Sequence, residues 1–213
     1  FPVIAQALRV AGIPVEVVGL GGLLMTPEVV DLVALLEVIY DPARGDSLMR
    51  LLTGPRFNFG ASDLAALGAF SRMLARRPRR DEPGVQADSS DERSIIDALV
   101  DLPGASWHNP NGPDFSEQGR RRLGQLAGKL SSLRSLTYLP LAELIEAGER
   151  VLGLDIEMAL VADRAVRGGA PRDLANPWGR AHLDAFRKIA LQFAQSVPNA
   201  SLGGFLGWLD DAQ

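Results

Sequence analysis

The stretch Val17–Asp31, VVGLGGLLMTPEVVD, decides between two folds. An apolar, β-branched run leads to glycines, and a Thr-Pro-Glu follows. The pattern reads as strand, glycine turn and helix. A phosphate cradle at this turn would make the chain a nucleotide-binding α/β protein. The dinucleotide fingerprint G-x-G-x-x-G is only half present: Gly19-Leu20-Gly21 begins it, but Leu24 stands at the sixth position. No acidic residue ends a second strand roughly twenty residues on, and Asp41 falls at the end of a helical pattern. The phosphate loop G-x-x-x-x-G-K-[ST] is absent, because no Lys-Ser or Lys-Thr pair occurs in the chain. Gly21 and Gly22 are therefore expected only to let the backbone cross from strand to helix.

Outward from this stretch the pattern is helical. Pro2 opens a helix carried by Val3, Ile4, Ala7, Leu8 and Ala11, and Gly12 stops it. Ile13-Pro14 then leads into a short strand, Val15 to Val18. Thr26-Pro27-Glu28 supplies a hydroxyl cap, a proline at the first helical position and an acid near the positive dipole end. That helix is expected to reach about Tyr40, where Asp41-Pro42 ends it. Asp46 starts another, through Leu48, Leu51 and Leu52. Gly54–Gly60, GPRFNFG, is a tight turn bounded by glycines. A helix opens after it at Ala61 or Ser62 and runs through Leu64, Leu67, Phe70, Met73 and Leu74. Residues 76–94 carry almost no large apolar side chain and read as a flexible loop. Ser94 to Val100 is a short helix and Pro103 to Pro113 a rigid loop. Helices are expected over Ser116–Leu133, Pro140–Leu152, Ile156–Val166, Pro177–Ser196 and Leu202–Asp210. Arg167–Pro171 is a further loop. In the last helix Phe205, Leu206 and Leu209 share one side. The fold class is mainly α, with one short strand–helix segment near the N-terminus. A lone strand needs neighbours, which suggests that further chain surrounds this piece, as do the abrupt helical opening and the missing initiator Met.

Composition narrows the function classes. Among 213 residues, 22 basic side chains face 26 acidic ones, a formal charge of −4. Any nucleic-acid contact must then be local. There is no cysteine, which excludes disulfides and thiolate metal sites and suits a cytoplasmic location. The two histidines, His108 and His182, are far apart and read as surface or capping residues, so no metal site is expected. The longest apolar run, Val29 to Tyr40, is interrupted by Asp31 and Glu37 and is too short to span a bilayer. Phe1-Pro-Val-Ile lacks the basic start of a signal peptide.

Several segments in order resemble one family. Ile4-Ala-Gln-Ala-Leu, Gly12-Ile-Pro-Val-Glu-Val-Val-Gly, Glu28-Val-Val-Asp31 and Leu48-Met-Arg-Leu-Leu-Thr-Gly-Pro-Arg are similar to the stretch after the fourth helicase motif of UvrD/Rep/PcrA-type superfamily 1 DNA helicases. Trp178-Gly-Arg-Ala-His-Leu-Asp-Ala-Phe and Ser201-Leu-Gly-Gly-Phe-Leu-Gly-Trp-Leu resemble two helices before the fifth motif. The likeness does not extend in detail to residues 76–140. It implies that residues 1–44 are the edge of domain 2A and residues 45–213 the helical 2B domain. ATP and Mg would belong to the parent motor, not to this stretch, which has no phosphate-loop lysine, D-E-x-Q, Q-x-x-R or T-x-H-x-x-K-G element. The implied role is that of an accessory domain that touches duplex or junction DNA and regulates unwinding, with the rest of the helicase as its partner. The alternative is a protein-interaction module of a repair or recombination helicase–nuclease, binding a repair protein.

The family's R-G-I-G hairpin meets duplex DNA, and the matching residues here are Pro55–Gly60. A turn leading into a helix offers unpaired N–H groups and a positive dipole end to phosphate. The resemblance thus implies DNA contact by Arg56, Asn58, Gly60, Ala61 and Ser62: Gly60 keeps the turn open, the N–H groups of Ala61 and Ser62 face the phosphate, and Arg56 adds charge. Asn58 replaces the first glycine of G-I-G, and the second arginine is missing. Asn tolerates a left-handed backbone, so the turn is expected to survive, or else to be a plain helical corner with Phe57 and Phe59 packed inside. Other groups read as structural. Arg72, Arg76, Arg77, Arg79 and Arg80 are followed at once by Asp81 and Glu82. Arg120, Arg121 and Arg122 are consecutive on a helix and so point apart. Trp107, Trp178 and Trp208 suit packing, and Glu143, Glu146 and Glu149 read as a wet helix face.

Overall fold

The computed structural model describes residues 20–75, 94–167 and 178–212. The helix expected from Pro2, the strand Val15–Val18, the loop 76–93 and the loop after Arg167 lie outside the described residues. The described chain is mainly α. It forms α1 (Leu20–Leu23), α2 (Pro27–Tyr40), α3 (Gly45–Thr53), α4 (Ala61–Ala75), α5 (Ile95–Val100), α6 (Glu117–Arg134), α7 (Leu141–Leu152), α8 (Leu154–Arg167), α9 (Trp178–Ser196) and α10 (Leu202–Asp211). No described helix is long and apolar enough to cross a membrane.

The deciding stretch departs from its reading. Gly21 and Gly22 lie inside the single helical turn α1, where Leu24 N–H donates to the Leu20 carbonyl at 2.9 Å. A helical turn satisfies the backbone locally while burying Leu23 and Leu24 together. Pro27 does open α2, but the Thr26 hydroxyl donates back to the Leu23 carbonyl at 2.8 Å, tying α1 to α2. α2 is apolar on nearly every side. Val29, Leu32, Val33, Leu35, Leu36, Val38 and Ile39 are all buried, as expected of a helix enclosed by others.

The chain divides into two compact units. One comprises residues 1–36 and 137–213, the other residues 37–136, and α2 runs from the first into the second. The boundary at residues 44 and 45 rests on the family resemblance alone. In the first unit α7 packs on α8 and α9. Gly148 lets α7 approach α2, since a Cβ there would lie 3.0 Å from Leu32 Cδ1. Phe186, Phe193, Phe205 and Trp208 form an aromatic cluster, with Phe193 and Phe205 centroids 5.3 Å apart. α8 begins two residues before the expected Ile156. Gly153 takes the left-handed conformation, φ 60°, and turns the chain at once from α7 into α8.

In the second unit α5 packs on α3, α4 and α6. Ser94 and Asp97 cap α5 reciprocally. Leu123, Leu126, Leu130 and Leu133 form the buried stripe of α6. At its far end Arg134 donates to the carbonyls of Ile39 and Val38 at 3.0 and 3.1 Å. These groups close the last turn of α2.

Candidate nucleic-acid interface

Gly54 ends α3, donating its N–H to the Arg50 carbonyl at 2.9 Å. The chain then doubles back: Asn58 N–H donates to the Gly54 carbonyl at 2.8 Å and Phe59 N–H to the Leu52 carbonyl at 2.9 Å. Asn58 sits at φ 41°. It is the left-handed residue of the turn, a conformation its short polar side chain tolerates. Gly60 has no such requirement, and a Cβ on it would meet only Ser62 Oγ, at 4.0 Å. Leu64 N–H donates to the Gly60 carbonyl at 3.1 Å and begins α4.

Pro55, Asn58, Gly60, Ala61 and Ser62 are exposed and Arg56 is half-exposed. Arg56 is engaged within the protein, so a phosphate would compete for it. The first N–H groups of α4 have no intrahelical acceptor. The acid of this first turn, Asp63, is turned away. Its Oδ1 accepts from Ser116 N–H at 2.7 Å and its Oδ2 from the Ser116 hydroxyl at 3.0 Å. Ser116 in turn caps α6, its oxygen accepting from Gly119 N–H at 2.9 Å. Phe59 is buried and Phe57 half-buried.

Sequence reasoning missed what holds this corner. Arg122 donates to the Phe57 carbonyl, and its guanidinium carbon lies 4.6 Å from the Phe59 ring centroid. A signal existed: positions 119, 122, 123 and 126 share a helical face, and Gly119, Leu123 and Leu126 are buried. The divergence of the three consecutive arginines holds. Arg120 donates to the carbonyls of Pro103 and Gly104, both at 2.7 Å, while Arg121 is exposed.

Trp107 packs between Phe70 and Phe115, at centroid distances of 5.4 and 5.5 Å. With Arg72, Met73 and Pro113 it lines a groove of about 440 Å³. Arg76 to Glu82 and the side chain of Trp178 lie outside the described residues. Trp208 packs on Phe193 and Phe205 with 40% of its surface exposed.

Two expectations are corrected. Glu143 and Glu146 are exposed, but Glu149 is 1% exposed and accepts from Arg180 Nη1 at 3.0 Å and Arg187 Nη2 at 2.9 Å. Three-residue steps fall short of a full helical turn, so residue 149 has rotated off the face of residue 143. His182 is buried rather than a surface or capping residue, with Nδ1 2.5 Å from Glu28 Oε1. His108 is exposed, 2.8 Å from Asp114 Oδ2. Among the described residues no three or more His, Asp or Glu side chains gather as a metal-ligand set.

No family model matches the chain. A 70-residue stretch is 39% identical to one subunit of the ATP-dependent helicase/nuclease of Leuconostoc mesenteroides subsp. mesenteroides. The match takes in 33% of this chain and 6% of that relative. In part of its length, then, the chain is similar to a helicase/nuclease subunit.

Proposed function

We propose that the chain is the helical 2B-type accessory domain of an ATP-dependent DNA helicase, with residues 1–44 at the edge of domain 2A. Its Pro55–Ser62 corner rests on duplex DNA and so regulates unwinding in the parent. The observation that carries this reading is the exposed, glycine-started N-terminus of α4. Arg56 precedes it in the turn and is half-exposed, and the first-turn carboxylate of Asp63 is committed to Ser116. Positive dipole ends and N–H groups of this kind hold phosphate without reading bases. The similarity to a helicase/nuclease subunit supports the parent activity.

ATP and Mg²⁺ do not fit the residues present. Gly21 and Gly22 lie within a helical turn rather than a cradle, and the chain has no phosphate-loop lysine. ATP use belongs to the parent's motor, and a preparation of this chain with measurable ATP turnover would contradict the assignment. The working location is the cytoplasm. The deciding test is duplex binding by the chain and by Arg56→Ala across a salt series.

A second reading draws on the relative's printed name and on Ile156 and Leu160, which are 63% and 53% exposed one turn apart on α8. It makes the chain a protein-interaction module of a helicase–nuclease, docking a repair protein. Duplex binding that is absent at low salt would favour it.

A further inference from the structure

We propose that Arg122 is the positioning residue of the Pro55–Ser62 corner, fixing it to α6 without itself meeting the ligand. The inference rests on the DNA-contact reading for its consequence, but its structural content stands separately. Among the described residues, two backbone hydrogen bonds between the end of α3 and the start of α4, Asn58 to Gly54 and Phe59 to Leu52, hold the turn to its own neighbours. Both run back towards α3, and neither reaches α6.

Arg122 ties the turn to α6 in two ways. It donates to the Phe57 carbonyl, and its flat guanidinium covers the Phe59 ring at 4.6 Å. The two anchor points flank Asn58, the residue at φ 41°. Asparagine adopts this conformation readily, but tolerance alone does not fix where the turn sits. Arg122 grips the peptide before it and the ring after it, so the turn carrying the exposed Asn58 is fixed against α6. α6 is itself locked to α4 through Asp63 and Ser116. The turn, the start of α4 and the start of α6 thereby become one rigid corner. A phosphate contact made by a preformed corner avoids the ordering cost of a mobile loop.

Lysine does not replace this arginine. Its ammonium, with three rotatable donors, reaches the Phe57 carbonyl but offers no planar face for Phe59. The test uses the whole 213-residue chain as wild type, Arg122→Ala, Arg122→Lys and Arg56→Ala, each checked for helical content. Amide hydrogen exchange at Asn58 and Phe59 is the first readout, and duplex affinity across a salt series is the second. In Arg122→Ala, exchange at these two amides should rise about tenfold or more while Leu126 and Leu130 stay protected. Arg122→Lys should fall between it and wild type. Duplex affinity should drop severalfold with an unchanged salt slope, whereas Arg56→Ala should lower the slope by roughly 1.

Unchanged exchange at Asn58 and Phe59 in Arg122→Ala overturns the proposal. So does a slope that falls as it does for Arg56→Ala, because Arg122 would then be a phosphate contact. Should Arg122→Ala not fold, Arg122→Lys decides: wild-type exchange in it overturns the proposal, and raised exchange with intact helices supports it. If wild type binds no duplex, the DNA reading fails while the exchange result still decides the positioning role.

Discussion

The carboxylate of Asp63 occupies the space into which a side chain on Gly119 would project. A Cβ on Gly119 would fall 2.2 Å from Asp63 Cγ and Oδ2. The close approach brings the first turn of α4 against the N-terminus of α6 and lets Asp63 bond both Ser116 groups. Alanine in place of a helical glycine normally stabilises by about 1 kcal/mol. At Gly119 the sign should reverse, with Gly119→Ala destabilising by about 1–3 kcal/mol through overpacking. Gly124 and Gly128 lie on the same helix with open space around them, and alanine there should stabilise. Urea denaturation of the three variants checks the contrast. Equal effects at all three would remove the Asp63–Gly119 packing from the explanation.

Glu149 joins α7 to α9 as an enclosed charge between two arginines. The Nε of Arg187 is buried without a partner among the described atoms. Glu149→Ala leaves Arg187 without its anion and Arg180 with Asp184 alone. Because both arginine side chains are partly exposed, it should cost about 3 kcal/mol, the lower end for breaking a buried pair. Glu143→Ala and Glu146→Ala, on the exposed side of the same helix, should change stability by less than about 0.5 kcal/mol. Asp184 touches Arg180 at 2.6 Å but is 55% exposed, and its removal should cost less than about 1 kcal/mol. Chemical denaturation of these four variants gives the ranking.

Asp114 titrates below its ordinary value of 3.8. The hydrogen bond from His108 lowers it most, and the Asn109 N–H, at 2.6 Å, lowers it further. A depressed carboxylate stabilises the folded loop above 3.8 and loses that effect as pH falls through the lowered value. An NMR titration of the Asp114 carboxyl should therefore show a midpoint below 3.8, and His108→Ala should move it back towards 3.8. A midpoint that ignores His108 would show that the backbone N–H alone sets it.

Much of this architecture is legible from local pattern. Pro27, Ser94 and Ser116 mark helix starts by chemistry that acts within one turn, whereas the left-handed Gly153, which starts α8 at Leu154, is missed. The helical stripes of Leu123–Leu133 and Phe205–Leu209 face the core as their spacing requires. Other failures involve partners distant in sequence. Glu149 reads as wet because its arginines come 31 and 38 residues later. His182 reads as peripheral because Glu28 lies 154 residues before it. Periodicity does not distinguish a charged side chain facing water from one facing an opposite charge. In the candidate site, the turn and the tolerance of Asn58 for a left-handed backbone followed from residue types, whereas the hold of Arg122 on Phe57 and Phe59 depends on the packing of α6.

Duplex DNA binding by the 213-residue chain as a function of salt, compared with Arg56→Ala, bears on the whole interpretation. Affinity should fall linearly with salt on logarithmic axes, as phosphate contacts release counterions. Arg56→Ala should bind more weakly, with the slope reduced by roughly 1 and helical content unchanged. Binding that ignores salt, or an Arg56→Ala curve superimposed on wild type, would contradict a phosphate-gripping corner at Pro55–Ser62.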